Sequence, residues 1–147
     1  MPDIKMKKRD SGTGGEAVTQ DHPLGCAVAC VAFLTGKSYQ RALKKFPRPD
    51  FAWTRGFYCP EIVTVLADSG LHYTWRKLNA CTRHKPIPDG SMIFVGPSDR
   101  YQYGHFLVKC SERRYMNPWK NSPVMTPAKS GFDRLPYGTV TYVIEPE

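Results

Sequence analysis

The sequence predicts an α+β protein, with helices in its first half and an antiparallel sheet in its second. Three observations point there. Residues 20–36, QDHPLGCAVACVAFLTG, are small or apolar on nearly every side, the pattern of a buried helix. After Gly70 the hydrophobic period shortens, and LHYTWRKL, SMIFVG, GHFLVKC, RYMNP and TVTYVIE are β-branched or aromatic runs bounded by Gly or Pro. Hydrophobic residues make up 41% of the 147 positions and charged residues 23%, which suits one folded domain with a modest core.

Taken in order, residues 1–17 are basic and then glycine-rich (SGTGGE), and read as a flexible arm ahead of a domain spanning residues 18–147. Pro23 fits the first turn of the buried helix and Gly36 stops it. SYQRALKKF is a second, amphipathic helix with Ser38 as N-cap, ending before Pro47. CPEIVTVLADSG is a third, with Pro60 and Glu61 in its first turn and Ile62, Val65 and Leu66 on one face. In the second half, GHFLVKC and RYMNP form a hairpin around Ser111, Glu112 and Arg113. Residues 118–138 are Pro-rich and irregular, the kind of long connection that tends to carry function.

The formal net charge of +8 favours an anionic partner on a basic surface, although Arg41, Lys44, Lys45 and Arg48 read mainly as a solvated helix face. Five cysteines, an odd number at irregular spacing, argue for free thiols over a disulfide framework. No run approaches the roughly 18 apolar residues of a membrane span, and the basic start has no apolar segment behind it, so a cytoplasmic location is expected.

Each thiol then needs an explanation. Cys26 stands at the start of the buried helix, where free N–H groups and the helix dipole lower a thiol's pKa. Gly25 before it lets a substrate approach the backbone. Attack on a carbonyl creates an oxyanion that needs donors, and the Cys26 N–H and the Gln20 side-chain amide can supply them. Strand alternation in GHFLVKC puts Phe106, Val108 and Cys110 on one face, and His105 on the other, away from the core. Across the hairpin, Asn117 falls near His105 and can accept its ring N–H, fixing the tautomer whose other nitrogen faces sulfur. Cys59, also preceding a helix, lacks a comparable amide donor, and Cys30 reads as core. His22, His72 and His84 lack a following Asn-Pro. A zinc site from Cys26, Cys30, Cys81 and His84 has no knuckle-like turn, so neither metal nor cofactor is expected.

Gln-x5-Cys opening a buried helix, a later Gly-His-Phe-Leu-Val strand and an Asn-Pro soon after resemble the papain-like cysteine peptidases, and within them the bacteriocin-processing, double-glycine-leader branch. The resemblance covers residues 18–119. It implies a papain-like fold with the Cys26 helix central against the sheet. It also implies catalytic roles for Cys26, His105 and Asn117, and an oxyanion role for Gln20. Ala27 stands where the family often has Gly, and Asn117 where Asp is common. The expected activity is hydrolysis of a peptide or isopeptide bond through a Cys thioester, with a peptide or protein as substrate. The alternatives from other classes are a catalytically silent papain-like binding module and a basic nucleic-acid-binding protein.

Overall fold

The computed structural model describes residues 15–136 and 138–147. Most of the arm expected over residues 1–17 therefore lies outside the described residues. Its last three, Gly15 to Ala17, already lie near the body of the protein, with Ala17 packed on the core.

Helix α1 (Cys26–Thr35) is the buried helix, with Ala27 through Leu34 all in the core. It begins three residues later than Pro23 suggested. The Gly25 N–H donates to His22 O at 3.0 Å, closing a turn that keeps Pro23 and Leu24 outside the helix. Gly36, in the left-handed conformation at φ 72°, ends it as expected. Helix α2 (Tyr39–Leu43) starts where Ser38 predicts, the Ser38 hydroxyl accepting the Arg41 N–H at 3.2 Å. It is shorter than its amphipathic pattern. Beyond Leu43 the Lys45 and Phe46 N–H groups reach back only three residues, tightening the chain into turns ahead of Pro47. A short helix α3 (Phe51–Thr54) follows, then α4 (Cys59–Asp68), whose Glu61 carboxylate accepts the Tyr58 N–H at 2.8 Å.

Strands β1 (Tyr73–Lys77), β2 (Met92–Val95), β3 (His105–Ser111), β4 (Arg114–Asn117), β5 (Gly131–Asp133) and β6 (Val140–Pro146) form one sheet. Its order is β1-β6-β2-β3-β4-β5, with every neighbouring pair antiparallel. β5 has no signal in the sequence. Three residues opening on a glycine become a strand only because Tyr115, Met116 and Asn117 offer a free edge to pair with.

The helices cover one face of the sheet, with α1 against α2, α4 and β3. Phe106, Val108 and Cys110 point into this main core, as alternation requires. The opposite face is not left to water. Ile93, Val95, Leu107, Tyr115 and Val143 form a second buried cluster, roofed by Leu78 and Ile87 from the connection between β1 and β2. β3 is thus buried on both faces. This is why His105, expected away from the core, is only 1% exposed.

The second cluster should carry real stability. Leu107→Ala, at a fully buried position away from the helices, should cost about 2–5 kcal/mol in urea unfolding, the range for leucine truncation in a packed core.

Candidate active site

Cys26 is the first residue of α1, reached through the turn at His22–Gly25. Gly25 is required there by space: a Cβ would fall 2.1 Å from the Tyr39 hydroxyl. That hydroxyl lies 2.9 Å from His22 Nδ1, so Tyr39 braces the turn that aims Cys26. From the sheet, the Phe106 N–H donates to Cys26 Sγ at 3.4 Å, setting the sulfur against the residue that follows His105.

His105 opens β3, and its Nε2 lies 2.7 Å from Asn117 Oδ1. The orientation of the Asn117 amide follows from its other partners. The Trp119 N–H donates to Oδ1 at 2.9 Å, and Nδ2 donates to the Tyr101 hydroxyl at 3.1 Å. That hydroxyl in turn donates to Trp119 O at 2.8 Å. A flipped amide would set its NH2 against the Trp119 N–H, so Oδ1 is the atom facing the imidazole. His105 must then carry its proton on Nε2, which leaves Nδ1 with a lone pair. The Tyr101 ring lies flat on the imidazole, with centroids 3.9 Å apart and planes within 1°.

Electrostatics here differ from the sequence expectation. Burial pushes the Cys26 thiol up to about 11, more than the N–H groups of Phe106, Ala27 and Cys26 itself pull it down. The helix N-terminus acts in the expected direction but is outweighed. Burial pushes His105 down to about 4 against the pull of Asn117, and the Arg100 guanidinium adds to the depression. The pair is a neutral thiol and a neutral imidazole. No hydrogen bond joins the two; the sulfur takes the Phe106 N–H and the ring takes Asn117.

Gln20 is fully buried, and its Nε2 donates to His22 O at 3.0 Å and Pro23 O at 3.2 Å. Both amide hydrogens are thus committed to the turn before Cys26, and Oε1 has no partner. Among the other thiols, Cys30, Cys59 and Cys110 are buried and Cys81 is exposed, and among the described residues no three His, Cys, Asp or Glu side chains are grouped to hold a metal ion. Tyr101, Trp119 and Tyr39 were absent from the sequence reading. Trp119, two residues past Asn117, had a positional signal; Tyr101, in the polar loop PSDRYQYG, had none.

The site opens on two sides. A narrow channel of about 130 Å³ exposes Cys26 between Leu24, Tyr58, Phe94, Tyr103 and Gly104. Gly104 has φ 82°, and a Cβ there would meet Phe94 at 2.2 Å, so only glycine keeps the channel wall in place. Beyond it lies an apolar groove of about 440 Å³ formed by Phe57, Tyr58, Trp75, Phe94, Phe106 and Tyr142. On the other side, a wider groove of about 740 Å³ reaches His105, lined by Trp53, Arg55, Arg100, Tyr103 and Trp119.

No family model matches this sequence. No curated protein matches it either. Solved structures do. The chain is similar in fold to the crystal structure of a double glycine motif protease from an AMS/PCAT transporter, determined in complex with the leader peptide. The TM-score is 0.56 at 12% identity, over 92% of this chain and 96% of that one. At that identity the likeness is one of fold alone: helices on an antiparallel sheet.

The buried imidazole makes stability depend on acid. His105 takes a proton near pH 4 when folded and near 6.5 when not, so between those values the unfolded chain binds more protons. Its contribution is complete above pH 6.5 and falls as pH drops toward 4, by about 3 kcal/mol in all. His105→Asn should flatten this part of the stability–pH curve measured by urea unfolding, whatever it does to the plateau.

Proposed function

We propose that this protein is a cysteine peptidase in which Cys26 is the nucleophile, His105 the general base and acid, and Asn117 the group that orients His105. The observation that carries this is the 2.7 Å bond from His105 Nε2 to Asn117 Oδ1, beside a Cys26 sulfur held on the next residue's N–H. A purely structural histidine gains nothing from a free Nδ1 lone pair on the strand residue next to the one whose N–H holds a thiol. The shared fold with a leader-peptide protease supports the same reading.

His105 Nδ1 takes the thiol proton as Sγ attacks the carbonyl carbon, and the carbonyl electron pair moves to oxygen. The Cys26 N–H, free at the first position of α1, faces that oxyanion. Gln20 supplies the second donor by exchanging its longer bond, to Pro23 O, for the oxyanion. Collapse breaks the C–N bond, His105 returns the proton to the leaving amine, and water releases the acid from the thioester.

Chemistry also gives the cleft a direction. The imidazole must reach the leaving nitrogen, so the leaving segment occupies the wide groove at His105 and the acyl segment the narrow channel at Cys26. That channel, walled by Tyr58, Phe94 and Tyr103, favours small residues such as glycine next to the scissile bond. The basic surface is left to the approach of an acidic peptide segment.

An internally quenched peptide with a Gly-Gly pair before the scissile bond tests this. Cys26→Ala should abolish cleavage, and wild type with excess peptide should show the acyl-enzyme mass. A protein inert to such peptides, with Cys26 no faster than Cys81 toward iodoacetamide, would be a silent binding module. The kcat/KM profile should be a broad plateau, because the neutral pair persists from about 4 to about 11. An acid limb near pH 7 would instead report a preformed ion pair. Gln20→Ala should lower kcat by about a hundredfold or more. Lost stability with unchanged kcat would leave Gln20 as a brace for the turn alone.

A further inference from the structure

We propose that Tyr101 is the positioning residue for His105: its ring fixes the plane of the imidazole and steadies the imidazolium formed during proton transfer, while its hydroxyl locks the Asn117 amide that selects the tautomer. The kinetic part of this rests on the cysteine-peptidase reading; the positioning of the ring does not.

Tyr101 is 3% exposed and belongs to the connection between β2 and β3. Its backbone is tied at both ends, its N–H donating to Ser98 Oγ at 3.2 Å and its carbonyl accepting the N–H groups of Ser98 and Gly104 at 2.9 Å each. The phenol is thus a fixed plate. A stack with planes within 1° allows the imidazole to slide in its own plane but not to tilt out of it. In-plane movement lets the ring shift while Nε2 stays on Asn117.

Uncharged rings stacked in parallel attract one another only modestly. A cation over a tyrosine face is attracted. The stack is therefore weak while His105 is neutral and strengthens when it accepts the thiol proton. An interaction that grows toward the transition state raises rate without raising affinity for substrate. The groups that bear on the imidazole are Asn117 of β4 and Arg100 of the same connection, while Arg100, Cys26 of α1 and Asp133 at the end of β5 act on the phenol. Arg100 opposes the imidazolium, and the Tyr101 face offsets it.

The hydroxyl does separate work. It accepts from Asn117 Nδ2 and donates to Trp119 O, closing a ring of three hydrogen bonds whose third is the Trp119 N–H on Oδ1. Without it, a rotated amide would expose Nδ2 to the imidazole and favour the other tautomer, whose lone pair faces Asn117 and not the thiol.

Histidine-selective ¹H–¹⁵N NMR reads the tautomer whether or not any peptide is cleaved. Wild type should show His105 as the Nε2–H form alone. Tyr101→Leu, lacking plate and hydroxyl, should show a mixture of tautomers. Tyr101→Phe keeps the plate, and should hold ring order while the Asn117 side-chain NH2 signals broaden or shift. With the quenched Gly-Gly peptide, kcat should fall roughly tenfold in Tyr101→Phe and about a hundredfold in Tyr101→Leu, with KM within about twofold of wild type. Should Tyr101→Leu not fold, Tyr101→Phe decides. A single Nε2–H tautomer, unmoved Asn117 amide signals and wild-type kcat in the folded variants would overturn the proposal. If wild type cleaves no peptide, the spectra alone decide: a mixed tautomer on Tyr101 substitution sustains the positioning role, and an unchanged one removes it.

Discussion

The geometry around His105 depends on the orientation of one buried side-chain amide, that of Asn117. Its backbone sits at the end of β4, between β3 and β5, where Gly131 pairs with it. Its side chain is 1% exposed, so every polar atom must find a partner or cost free energy of about 1–3 kcal/mol. Trp119 N–H, Tyr101 Oη and His105 Nε2 supply those partners. Loss of the Tyr101 hydroxyl would leave Nδ2 unpaired, whereas Oδ1 is held by two donors at once. The imidazole inherits its tautomer and direction from this arrangement, which is a property of the β3–β4 hairpin and the connection before it.

The second constraint is the meeting of α1 with β3. A helix apolar on all sides can only lie inside the protein, and burying it beside Phe106 and Val108 brings its first residue to the first residues of the strand. The Phe106 N–H then finds the Cys26 sulfur. Gly25 makes the approach possible because Tyr39, presented by α2, leaves no room for a side chain. The same aromatic residues that close the core at this end, Phe57, Phe94 and Phe106, also form the apolar groove. Core packing and cleft shape are thus not separable: Phe94 supports Gly104 on one side and faces Tyr142 on the other.

Much of the fold was legible because burial leaves a period. The all-round apolar helix, the Ser38 cap, the Cys59-Pro60-Glu61 helix start and five of six strands follow from local pattern. β5 did not, because a three-residue strand exists only through its partner. At the site, the nearness of His105 to Asn117 was legible from the hairpin, although the register continued from Val108 and Met116 sets Asn117 diagonally from His105 and not opposite it. The full burial of His105 was not, because alternation reports one covered face and here both are covered. Nor were the committed hydrogens of Gln20, which depend on where two carbonyls of a non-repeating turn point. Tyr101 illustrates the limit most clearly: in a polar loop, an aromatic residue that holds a histidine reads the same as one exposed to water.

A thiol at about 11 and an imidazole at about 4 look poorly matched for catalysis, yet the two shifts have one origin. Burial disfavours charge on both partners, and it does so in proportion to the dryness that strengthens every dipole in the site. A standing thiolate–imidazolium pair would need its desolvation compensated at all times by partners that the resting site uses elsewhere. The neutral pair avoids that cost, and in the proposed mechanism charge would develop only as sulfur attacks. At that moment the Phe106 N–H already donates to the sulfur, and Asn117 Oδ1 already accepts from the ring. In that mechanism the helix N-terminus would contribute not a lowered resting pKa but donors in place where negative charge would appear, which is the form of stabilisation that affects rate.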